Sequence, residues 1–165
     1  STTSVVSPSS LSLDTTYDER CDAQVLYSDE FLNTMKLTFN KGGVWSIRVS
    51  ALQSLSSFCV KANVSKWKEG IVNKIISILE FGMNDAKYYS VRSSALEVLI
   101  SLINRKEAFH LWFTLHNETL QNEVKRLCND THPKVAELAH RSRKKLNDLI
   151  HDSNTSSSSG TSGDF

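Results

Sequence analysis

Much of what would reveal a function on inspection is missing from this 165-residue chain. No run of about 18 apolar residues occurs, so no helical segment is written to span a bilayer. The opening STTSVVSPSSLSLDTT has neither the basic start nor the compact apolar centre of a secretory signal. An excess of one charge is missing too, since 19 lysines and arginines face 18 aspartates and glutamates, leaving +1. That balance supplies neither the footprint of a nucleic-acid binder nor that of a membrane-surface protein. Cysteine is scarce: Cys21, Cys59 and Cys128 are odd in number, far apart and never at C-x-x-C spacing. Each lies in or beside a helix-like apolar pattern, which fits small buried thiols in a reducing compartment, cytoplasm or nucleus. On that view the N-x-S/T triplets at Asn63, Asn117, Asn129 and Asn154 stay unmodified.

Catalytic constellations are also lacking. There is no G-x-x-x-x-G-K-[ST] and no G-x-G-x-x-G, and Gly42-Gly43 lies between two helical patterns, where it reads as a turn. His110 and His116 are six residues apart, so they do not share a helix face as an i, i+4 zinc pair does. His132, His140 and His151 lie among polar residues. The acids Asp18, Glu19, Asp22, Asp29 and Glu30 crowd together as a solvated edge rather than forming an isolated buried pair. No enzyme is expected, and no cofactor, metal or small-molecule substrate.

What the chain does contain is one helix written twice. Val44 to Phe58 reads VWSIRVSALQSLSSF, and Tyr88 to Leu102 reads YYSVRSSALEVLISL. Superimposing them pairs Ile47 with Val91, Arg48 with Arg92, Ala51 with Ala95, Leu52 with Leu96 and Leu55 with Leu99, an offset of 44 residues. Ile47, Ala51, Leu52, Leu55, Phe58 and Cys59 fall at helical spacing, on one face; Val91, Ala95, Leu96, Leu99, Leu102 and Ile103 repeat it. After NDTHPKV a third stripe runs through Val135, Leu138, Ala139, Ser142, Leu146, Leu149 and Ile150, with Thr131 placed to cap it and Pro133 suited to its first turn.

Each copy follows another amphipathic segment. The first carries Phe31, Leu32, Met35 and Phe39; the second Trp67, Ile71, Val72, Ile75, Ile76 and Leu79. The third carries Phe109, Trp112, Phe113, His116, Leu120, Val124 and Leu127. Turn signals, NKGG at Asn40, GMND at Gly82 and CNDTHP at Cys128, separate the members of each pair. No stretch alternates like a strand, so the expected fold is all-α. A lone helical hairpin cannot hide its apolar face, whereas hairpins side by side share one core. The expected organisation is a Ser/Thr-rich disordered segment over residues 1–16 and a helical repeat domain over 17–151, with units near 20–59, 65–104 and 106–151. A disordered Ser-rich tail over 152–165 completes it.

A period of about 40 to 47 residues with two helices per unit is the HEAT and armadillo signature. The residues resemble the HEAT family as well. Asp130, Pro133 and Val135 in NDTHPKVAELA match the opening of that family's second helix, as do Asp85, Val91, Arg92, Ala95 and Leu96 in the second copy. The first copy supplies Ile47, Arg48, Ala51 and Leu52 but no turn Asp, the second lacks the Pro, and the third has Ala136 where Arg is expected. The family's Asp–Arg ladder is therefore expected to be incomplete. The resemblance implies a short α-solenoid of about three antiparallel helix pairs, acting as a non-catalytic protein-binding scaffold.

Two groups of residues are candidates for binding a protein partner. Phe109, Trp112 and Phe113, in AFHLWFTLH, wrap more of their helix than one core face requires; Trp45 with Tyr88 or Tyr89 marks corresponding edges of successive units. The basic run HRSRKK offers Arg141, Arg143, Lys144 and Lys145, which suit a solvated helix end or an anionic partner. No aromatics interleave with it, so nucleic-acid recognition is not expected. WSIRVSALQSL is similar to the large proteasome-associated HEAT adaptor family, and AHRSRKKLNDLIHD turns polar as a C-terminal capping repeat does. That similarity implies the C-terminal repeats of a longer scaffold, with proteasome subunits as partners. A nuclear transport receptor or other cargo-binding solenoid is the alternative, followed by a phosphate- or nucleic-acid-binding HEAT module.

Overall fold

A computed structural model describes residues 30–37 and 44–158. Every regular element among them is helical. We label them α1 (residues 30–37), α2 (Trp45–Lys61), α3 (Glu69–Met83), α4 (Tyr89–Ile103), α5 (Phe109–Leu127) and α6 (Pro133–Ser158). Short 3₁₀ turns at Val64–Lys66 and Lys106–Ala108 precede α3 and α5. The segments expected to be disordered at 1–16, and the NKGG turn with Phe39, lie outside the described residues.

The apolar stripes read from the sequence form one core. Leu52, Leu55 and Cys59 of α2 are buried, as are Val91, Ala95, Leu96, Leu99 and Leu102 of α4, and Val135, Leu138, Ala139, Leu146 and Leu149 of α6. Burying each large aliphatic side chain contributes on the order of 2 kcal/mol. The exception is Ile47, which is 51% exposed although Val91 and Val135 are buried. Its helix has α4 as principal neighbour, whereas α4 has both α2 and α6 against it.

Helices in the same place in successive units touch: α2 packs on α4, α4 on α6, and α3 on α5. Members of one unit also touch, α3 with α4 and α5 with α6. Side-chain bonds follow the same step. Ser56 and Ser101 hydroxyls are 2.8 Å apart, and His116 Nε2 lies 2.6 Å from Asn73 Oδ1. Arg105 donates to the Val60 carbonyl at 2.7 Å, and Arg126 to the Met83 carbonyl at 3.1 Å, so cations from one unit cover helix C-termini of the unit before.

The helix ends are not all built as expected. Thr131 does not cap α6. Asp130 Oδ1 accepts the His132 N–H at 2.9 Å, and His132 Nδ1 accepts the Lys134 N–H at 3.3 Å, satisfying donors that a helix start leaves open. Asp85 does likewise ahead of α4, accepting the N–H groups of Lys87 and Tyr88 at 3.0 and 2.8 Å. Gly82 belongs to α3 and not to a turn; a Cβ there would lie 2.9 Å from Ala95 Cβ, so its role is close approach of α3 to α4. Trp67 precedes α3 and stacks on Phe58, ring centroids 5.7 Å apart. The helix α6 runs on from Asp152 to Ser158, into the segment expected to be a disordered tail. There the Ser153, Thr155 and Ser156 hydroxyls donate to carbonyls three or four residues back, so the side chains satisfy themselves on the helix's own backbone.

Candidate docking edge

Two arginines and two aspartates form a line across the units. Arg48 donates through Nη1 to Asp85 Oδ2 at 3.1 Å. Arg92 donates to the Asp85 carbonyl at 2.9 Å, and grips Asp130 through Nε and Nη2 at 2.8 and 3.0 Å. Each arginine takes the aspartate of the following unit, so the missing Asp of the first copy and the missing Arg of the third leave neither of these residues without a counterpart. Desolvation alone would raise the Asp130 pKa. The hydrogen bonds from Arg92 and the His132 N–H, with the Arg92 charge, outweigh it and hold the carboxyl below its ordinary value.

Beside this line lies an aromatic edge. Trp45 stacks on Tyr88, centroids 5.8 Å apart, and Tyr89 stacks on His132 at 3.6 Å. Lys87 Nζ sits 5.2 Å from the Tyr88 ring centroid. A groove of about 670 Å³ opens here, its floor formed by Arg48 and Asp85 and its apolar wall by Phe81 and Tyr88. Trp45 is 43% exposed and Phe81 57% exposed, while Tyr89 is also open to solvent and Tyr88 is half-buried. Val44 and Ile47, at the start of α2, are exposed as well. These residues mark the end of the hairpins where the first helix of a pair turns into the second. Sequence reasoning missed Phe81. The signal was its place off the α3 stripe, since Ile71, Val72, Ile75, Ile76, Ile78 and Leu79 already occupy the buried side.

Trp112 and Phe113 do not join this edge. Trp112 is 0% exposed, so it is a core residue and not a docking residue. It meets Phe113 edge-on, and Phe113 is half-buried against the core. Phe109 begins α5, but its side chain lies outside the described residues.

The basic run also divides. Lys145 donates to Asn104 Oδ1 at 3.1 Å, on the α4 side of α6. Arg143 lines a different cleft, facing α5, and is exposed, as are Arg141 and Lys144, which line neither cleft. Cys59 and Cys128 are buried and free, and burial pushes the Cys59 thiol up to about 12, with Arg105 opposing weakly; Cys21 lies outside the described residues.

Among the described residues no group of three or more His, Cys, Asp or Glu side chains could hold a metal ion. None of the described helices is long and apolar enough to cross a membrane. No family model matches the chain, and a search of curated proteins returns no match.

Proposed function

We propose that this chain is a non-catalytic protein-docking scaffold, built as a short HEAT-like α-solenoid of about three helix pairs. The observation that carries the fold part is the step of its contacts. Ser56 with Ser101, Asn73 with His116, Trp45 with Tyr88 and Tyr89 with His132 join positions 43 to 45 residues apart, within one residue of the 44-residue offset. Units related by one translation and a small rotation produce such contacts.

Docking is assigned to the edge bearing Trp45, Phe81, Tyr88 and Tyr89. Large aromatic side chains left open beside a groove provide the anchors that dominate protein interfaces. The Asp85 carboxylate is committed to Arg48 and to the turn that starts α4, so it sets the floor and leaves recognition to the rings. By its similarity to the proteasome-associated adaptors, the partner proposed is a proteasome subunit, and the place of action is cytoplasm or nucleus.

The test is binding of the full chain to purified proteasome particles by interferometry, beside a Trp45→Ser/Phe81→Ser variant. Both side chains are exposed, so the variant should keep the helical spectrum. The expected result is saturable binding that weakens at least about tenfold in the variant, because two interface anchors are each worth about 1 kcal/mol or more. Absence of saturable binding would remove the proteasome as partner. Unchanged binding in the variant would remove the edge.

A further inference from the structure

Helix α6 is flanked by two polar clefts with opposite charge bookkeeping. The cleft toward α4 holds Lys106, Lys145, Asp148 and Asp152. It balances itself: Lys106 Nζ is 4.0 Å from Asp152, and Lys145 is bonded to Asn104. The cleft toward α5 encloses about 220 Å³ and no acid lines it. Its floor is apolar, from buried Val124 and Leu146, and the exposed side chains of Lys125 of α5 and Arg143 of α6 line its rim from the two helices. Neither cation is ion-paired among the described residues. The α5 acids do not offset them, since Glu118 is outside the cleft and Glu123 is held by Arg126 at 2.8 Å. Asn122 and Asn147 add amide donors around the same space, and Gln121 lines it with its Nε2 already donating to Asn117 Oδ1 at 2.7 Å.

We propose that this α5/α6 cleft is an oxyanion site that receives a phosphoryl group carried on a peptide. Two cations, one a planar guanidinium, with amide donors around an uncharged floor, match the recognition chemistry of a dianionic phosphoryl group. The volume is below the roughly 300–1,000 Å³ of sites that enclose a whole cofactor, so the cleft takes one group and leaves its carrier outside. A nucleic acid is disfavoured because no aromatic ring lines the cleft for base stacking. The site is separate from the aromatic edge and does not depend on it.

The experiment is ¹⁵N NMR titration of the full chain with inorganic phosphate, with a phosphoserine peptide and its unphosphorylated form, and with a single-stranded oligonucleotide, all at fixed ionic strength. Wild type is compared with Lys125→Gln/Arg143→Gln and with Arg141→Gln/Lys144→Gln, which removes the same charge from exposed positions outside the cleft. The side-chain amides of Gln121, Asn122 and Asn147 are expected to shift saturably with phosphate. The phosphopeptide should bind at least about tenfold more tightly than its unphosphorylated form. The first variant should lose at least about tenfold, the second less than about twofold, as two lost charge-assisted contacts at one site require.

Should the first variant unfold, Arg143→Lys keeps the charge but loses the fork, and a several-fold loss is expected. Equal losses in the two double variants would show general charge attraction and overturn the site. Absent or non-saturating shifts would do the same. Tighter binding of the oligonucleotide at the same amides would replace the proposal with a nucleic-acid contact.

Discussion

Replacing Arg92 by Gln should destabilise the chain by about 3 kcal/mol, the lower end of the cost of breaking a buried ion pair from one side. The guanidinium makes two bonds to Asp130 and a third to the Asp85 carbonyl. Its side chain and that of Asp130 are 11% and 8% exposed, so solvent compensates little for the loss. Asp130 would keep the His132 N–H, which holds the figure at the low end. Arg48→Gln should also destabilise the chain, because Arg48 donates to Asp85 at 3.1 Å from a partly buried position. For Arg92 the expected fall in Tm is about 10 °C for a domain of this size. Urea denaturation of wild type, Arg92→Gln, Asp130→Asn and the double variant should give a coupling energy of about 2 kcal/mol. A coupling below about 0.5 kcal/mol would refute the view that this line of charges ties the units together.

The depressed Asp130 pKa gives a second expectation: its contribution is present above the unfolded value of about 3.9 and is lost as pH falls through the lower folded value. The stability gap between wild type and Asp130→Asn should therefore narrow below about pH 4 and stay flat from pH 5 to 7. Cys59, buried with its thiol pushed up to about 12, should resist alkylation at pH 8 in the folded chain and react only on unfolding, as peptide mass mapping would show. Gly82→Ala should cost about 1–2 kcal/mol in chemical denaturation, since its Cβ would meet Ala95 Cβ at 2.9 Å and the crowding exceeds the gain in helix propensity. Gly70→Ala, which meets nothing within 4 Å, should be neutral or slightly stabilising.

The helices were legible because their apolar residues recur at helical spacing, and that spacing reports burial directly. Leu52, Leu96 and their neighbours lie where the pattern placed them. Pattern alone did not separate the two tryptophans of interest: Trp112 is in the core and Trp45 is not, because burial depends on which helices flank a position. Ile47 differs from Val91 for the same reason. The Arg–Asp line was expected as an incomplete ladder, because the residues were matched within each copy, whereas each arginine pairs with the aspartate of the following unit, 37 or 38 residues on. The run HRSRKK looked like one patch because adjacent residues point about 100° apart on a helix, which sends Arg143 toward α5 and Lys145 toward α4.

The central claim is that the period in the sequence is the period of contact in space. Ser56 and Ser101, whose hydroxyls are 2.8 Å apart on α2 and α4, test it most directly. With the three native cysteines replaced by alanine, a Ser56→Cys/Ser101→Cys chain should oxidise to an intramolecular disulfide, read as a 2 Da loss by intact-mass spectrometry, since side chains that close suit disulfide geometry of roughly 3.5–4.5 Å between Cβ atoms. Ser54→Cys/Ser101→Cys, with one cysteine turned to an exposed position off the period, should remain reduced under the same conditions. Rapid closure in the first and not the second is the predicted result; no closure in either, or equal closure in both, would contradict the account.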